Sequence, residues 1–97
     1  MFSIDKRNNI TLDAGDTGVI NFSLCGCNDK LKDEDIVIFH NGDNQTVTVR
    51  TFKDGVARIE IPEKEGPFKG RYCIKVQMKD GRKSTVIEGK FERRDDC

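Results

Sequence analysis

The sequence predicts an all-β fold, a two-sheet antiparallel sandwich of about seven short strands. Three observations carry that expectation. Apolar and polar residues alternate in run after run, no long window holds a helical period, and Asn-Gly, Asp-Gly and Pro/Gly turns separate the runs at sandwich spacing.

Taken in order, Ile10-Thr11-Leu12 is a short strand, and Thr17 to Leu24 alternates with Ile20, Phe22 and Leu24 on one face. Cys25 to Asp35, CGCNDKLKDED, is polar and charged and reads as a loop. Ile36 to Phe39 is a brief apolar run suited to a central strand. Gln45 to Phe52 alternates through Val47 and Val49, and Asp54-Gly55 turns the chain into Val56 to Ile61, where Ala57, Ile59 and Ile61 oppose Arg58 and Glu60. That pair is expected to form a hairpin. Gly70 to Met78 places Tyr72, Ile74, Val76 and Met78 inward and Cys73, Lys75 and Gln77 outward. Asp80-Gly81 then turns the chain into Ser84 to Glu92, with Thr85, Ile87 and Phe91 expected inward.

Length and charge bound the rest. The 97 residues make one domain, 1–97, with no repeat or linker, and a chain of this size buries roughly 60–65% of its unfolded surface in one modest core. Lys plus Arg and Asp plus Glu are both 17, so the formal charge is zero and no global field recruits nucleic acid or an anionic membrane. The opening MFSIDKRNNI has no apolar signal-peptide core, and no run is long enough to span a bilayer. A cytoplasmic origin is therefore expected, with reduced thiols at Cys25, Cys27, Cys73 and Cys97 rather than a disulfide framework.

Candidate chemistry is sparse. Asp16-Thr17-Gly18 is the tripeptide of homodimeric aspartic proteases, in which two carboxylates share a proton. Here Ala14 and Gly15 replace the apolar residues that should support the Asp, and Val86-Ile87-Glu88-Gly89 puts a charge in the segment that should pack behind it. A tight turn with Gly15 in a left-handed conformation fits these residues better. Cys25-Gly26-Cys27 with Cys73 and His40 lacks the two paired clusters of a structural zinc site, so no metal or cofactor is expected. His40 has no nucleophile near it in sequence. Basic spots at Lys69-Arg71, Arg82-Lys83 and Arg93-Arg94 read as solvated faces, without the interleaved aromatics of a nucleic-acid platform. No catalytic residue is assigned and the chain is expected not to be an enzyme.

Two resemblances sharpen the expectation. Phe68-Lys69-Gly70-Arg71-Tyr72-Cys73-Ile74 resembles the tyrosine corner of immunoglobulin-like domains, although Ile74 stands where their inter-sheet cysteine would be. The chain as a whole is similar to small structural proteins of Gram-positive prophages, including the immunoglobulin-like N-terminal domain of baseplate upper proteins. The matching positions are Phe2, Ile4, Asn9, Ile10, Leu12, Gly15, Asp16, Thr17, Ile20, Phe22 and Leu24, then Asp54-Gly55, Ile61-Pro62, Gly70-Arg71-Tyr72, Asp80-Gly81 and Gly89-Lys90-Phe91. The resemblance implies an immunoglobulin-like sandwich serving as a non-enzymatic module of a phage tail or baseplate, made in a bacterial cytoplasm and carried in the virion. Its partners would be other tail or baseplate proteins in a homo- or hetero-oligomer, with no nucleic acid and no membrane. The expected contact regions are Cys25–Asp35, Asn41–Asn44 and the face of Cys73, Lys75 and Gln77. An immunoglobulin-like adhesion or carbohydrate-binding module is the alternative, and the aspartic protease built on Asp16 a more distant one.

Overall fold

A computed structural model describes residues 2–24, 31–32 and 34–95. It is all-β, with no helix among those residues and eight strands: β1 (Ser3–Ile4), β2 (Ile10–Asp13), β3 (Gly18–Phe22), β4 (Ile36–Asn41), β5 (Thr46–Val49), β6 (Ala57–Ile61), β7 (Phe68–Gln77) and β8 (Lys83–Arg94). Six form one curled sheet in the order β1-β2-β8-β7-β4-β5, and β3 pairs with β6 in a second. β1 is an addition to the strands expected from periodicity.

Alternation builds the core as expected along most strands. Ile10 and Leu12 of β2, Ile20 and Phe22 of β3, Val37 and Phe39 of β4, Ala57, Ile59 and Ile61 of β6, and Tyr72, Ile74 and Val76 of β7 are all buried in one cluster fed by both sheets. Phe39 sits at its centre, with ring centroids 5.6 Å from Tyr72 and 6.3 Å from Phe91. Such tilted and edge-on aromatic contacts add to the burial itself.

Several expectations are corrected. The pairing is not wholly antiparallel: β2 runs parallel to β8, with Ile10 opposite Phe91 and Asp13 opposite Arg94. A parallel pair needs a long connection, and here almost the whole domain lies between the partners. The expected β5–β6 hairpin does not form. Asp54 and Gly55 do make the tight turn, with φ of 53° and 75° and reciprocal Lys53 and Val56 hydrogen bonds of 3.1 and 2.9 Å, but the ladder stops there. β5 pairs with β4, placing Val47 opposite Phe39 and Val49 opposite Val37, while β6 crosses to β3.

A register shift between Ile74 and Lys75 moves Thr85 to the outer face. Ile87 pairs with Ile74 and Thr85 with Lys75, so Val86 is an extra, unopposed residue on β8. Met78, expected inward, lies beyond the end of β7 and is exposed.

The tyrosine-corner expectation also fails. Tyr72 does not bond across the β6–β7 connection; its hydroxyl donates to the carbonyl of Asn8 at 2.5 Å, tying the β1–β2 turn to the sheet. That turn is organised by Asp5, whose carboxylate accepts the backbone N–H groups of Arg7 and Asn9 at 2.8 and 2.9 Å. The Asn9 hydrogen bond is the main reason its carboxyl is held below the ordinary aspartate value.

Candidate interaction surface

The two ends of the long sheet are built differently. β7 and β8 run its full length, so the β7–β8 turn lies at one end while the β2–β3 and β6–β7 connections and Asp95 lie at the other, where Asp13 pairs with Arg94. The molecule measures 44 × 23 × 20 Å.

The second end is locked. Arg93 follows Gly89 and Phe91 in phase on β8, so its side chain points inward and is only 1% exposed. Its Nη1 donates to Asp43 at 2.5 Å and its Nη2 to the Gln45 Oε1 at 2.8 Å, and its guanidinium lies 5.6 Å from the centre of the Phe91 ring. The Gln45 oxygen also accepts from Asn41 Nδ2, and Asn41 Oδ1 accepts the backbone N–H groups of Asp43 and Gln45. Lys64 Nζ reaches Asp43 from the β6–β7 connection at 3.3 Å. The Arg93 hydrogen bond above all holds the Asp43 carboxyl below its ordinary range. Arg93 is therefore no part of a solvated basic face, and Asn41, fully buried, is committed to the fold rather than to a contact loop. The signal for Arg93 was its phase with Phe91; its charge argued the other way.

Asp16 sits at this locked end, in the β2–β3 turn. Gly15 has φ of 85°, and Asp16 N–H donates to the Asp13 carbonyl at 3.1 Å. Val86 to Gly89 lies toward the other end of β8, so the structure does not bring the protease segments together. Gly89 instead makes room for a close approach, because a Cβ there would collide with the Asn8 carbonyl and crowd the Tyr72 ring.

The outer face of the large sheet carries the cross-strand row Thr46, His40, Cys73 and Glu88. The ladder thus sets His40 beside Cys73, a neighbourhood invisible in sequence. His40 Nδ1 bonds Thr46 Oγ1 at 2.9 Å, and Cys73 is a half-buried free thiol. Among the described residues, no group of three His, Cys, Asp or Glu side chains is arranged to hold a metal ion. Cys25, Cys27 and Cys97 lie outside the described residues, as does most of the Cys25–Asp35 loop. Of that loop, Leu31 is buried in the core, and Asp35 closes a turn by accepting the Lys32 N–H at 2.9 Å.

The first end projects. β4 begins opposite Gln77, so the turn at residues 78–82 extends past it. β2 reaches β8 only from Phe91 onward, so residues 83–90 are an uncovered edge among the described residues. The distal part of this hairpin, Lys75 to Val86, is the arm. Residues 78–86 are all exposed. The arm is closed by Met78 and Arg82, with Gly81 at φ of 90° and the Asp80 carboxylate accepting the Arg82 N–H at 3.0 Å. Four cations, Lys75, Lys79, Arg82 and Lys83, stand against one carboxylate, Asp80, which pairs with Arg82 at 2.6 Å. Of the three large apolar side chains exposed among the described residues, two are on this arm, Met78 at 45% and Val86 at 40%. The arm is thus cationic and carries exposed apolar side chains at once.

The chain matches no protein-family model, no curated protein and no solved structure.

Proposed function

We propose that this chain is a non-enzymatic, immunoglobulin-like module that works through protein–protein contacts, as a structural part of a phage tail or baseplate and so of the virion. The strand order supports the immunoglobulin-like part of the reading. β8-β7-β4-β5 side by side, with β3 and β6 in the second sheet, follows the G-F-C-C′ and B-E order of immunoglobulin domains. The prophage part rests on the sequence resemblance.

The observation that carries the contact role is the projecting β7–β8 arm, whose Lys79, Lys83, Met78 and Val86 side chains are exposed to solvent. In immunoglobulin-like domains this corresponds to the F–G loop, one of the loops used in recognition. Co-expression with the products of the genes flanking its own, followed by light scattering, tests the reading. A complex of fixed stoichiometry is expected, and a strict monomer in every combination argues against it.

A further inference from the structure

We propose that the arm's partner is a second copy of this chain, bound head to tail, with the β7–β8 arm of one copy against the acidic end of the next. The inference rests on the reading of the arm as the contact element. Lys75 to Val86 carry a net charge of +3. At the end opposite the arm stand Asp13, Asp16, Glu63, Glu65 and Asp95 with the cations Lys64 and Arg94, Arg94 lying opposite Asp13 in the β2–β8 ladder.

The β2–β3 and β6–β7 connections are one surface. Gly15 N–H donates to the Lys64 carbonyl at 3.1 Å, and the Glu65 carboxylate lies over Gly15, its Oε1 3.1 Å from where a Cβ would be. Lys64 directs its ammonium to Asp43, 3.3 Å away, while Glu63 and Glu65 are exposed.

Distance makes the complementarity intermolecular. The two ends are separated along a 44 Å axis, several times the Debye length of about 8 Å at physiological salt, so neither end neutralises the other within one molecule. Copies with zero net charge do not repel as whole bodies, and opposite ends attract. Met78 and Val86 lose their exposure in the contact. An arm-to-end contact is heterologous, so it propagates as a ring or an open stack rather than closing as a two-fold dimer.

The test is a charge swap read by sedimentation velocity, with thiols kept reduced so that Cys73 cannot cross-link. Lys79→Glu with Lys83→Glu reverses the arm, and Glu63→Lys with Glu65→Lys reverses the far end. All four positions are exposed, so both variants keep the fold, which circular dichroism verifies. The parent should grow in mean mass with concentration at low salt and return to monomer at about 1 M salt, where the Debye length falls to about 3 Å. Each variant alone should associate at least tenfold more weakly, and an equimolar mixture should regain association. A monomeric parent, or a mixture that stays monomeric, overturns self-association. If the parent is monomeric alone yet forms the complex with neighbouring gene products, only the partner is wrong. If both are absent, the contact reading falls with it.

Discussion

The hydroxyl of Tyr72 donates to the carbonyl of Asn8, 64 residues earlier, across a position that Gly89 leaves clear. This bond fastens the N-terminal hairpin to the middle of the large sheet. Burial, followed by the negative charge of Asp5, pushes the Tyr72 phenol up from 10.0 to about 12. Tyr72→Phe should cost about 1 kcal/mol, lowering the thermal midpoint by roughly 4–8 °C in a domain of this size. Because the unfolded phenol ionises near 10 and the folded one near 12, parent stability falls as pH rises through that window. The Phe variant should lack that alkaline component; the same alkaline loss in both proteins would show that Tyr72 is not its source.

Gly89→Ala should be worse than Tyr72→Phe. Its new methyl meets backbone, the Asn8 carbonyl, rather than the end of a flexible side chain. Overpacking of this kind costs about 1–3 kcal/mol, and the rigid obstacle favours the upper end. Urea unfolding reads it directly, and a loss below that of Tyr72→Phe contradicts the close approach.

At the locked end, removing the acid should hurt more than removing the base. Asp43→Ala leaves a guanidinium buried with Gln45 as its remaining polar partner, and Arg93 Nε already has none. About 3 kcal/mol is expected. Arg93→Met removes the buried charge and leaves Asp43, partly exposed, with Lys64, so a smaller loss is expected. The Asp43 carboxyl is held below 3.8 in the folded state, so its contribution is full above that value and disappears as pH falls through the lower, folded one. An acid titration of stability should therefore be shallower in Asp43→Asn than in the parent.

Gly15→Ala should destabilise by about 1–2 kcal/mol, because a side chain resists the left-handed backbone that φ of 85° requires. Asp16→Asn should alter stability more than any activity. Peptide cleavage by the parent that disappears in Asp16→Ala would revive the protease.

Strands are legible in the sequence wherever a period of two meets a one-sided core: Ala57, Ile59 and Ile61 announce β6 without help from their neighbours. Turns that need a positive φ are legible too, at Gly15, Asp54-Gly55 and Gly81. Pairing is not. Asp54-Gly55 marks a local reversal, but whether a ladder grows from it depends on where Val47 and Val49 find apolar partners, and they find them on β4. The parallel β2–β8 pair and the bulge at Val86 are likewise set by contacts distant in sequence. For Arg93, charge points to solvent and phase points to the core, and in the fold Asp43 and Gln45 outweigh the cost of burial. Of the proposed contact surface, the outward Lys75 and the Arg82-Lys83 pair are visible separately. The hairpin register is what gathers them onto one projecting arm.

Amide hydrogen exchange, on the complex formed with a neighbouring gene product or with further copies of the chain, tests the central claim most directly. The account predicts new protection at residues 77–86, with little change in the buried strands β4 and β6. Protection that appears elsewhere and leaves the β7–β8 arm exchanging as in the free protein would contradict it.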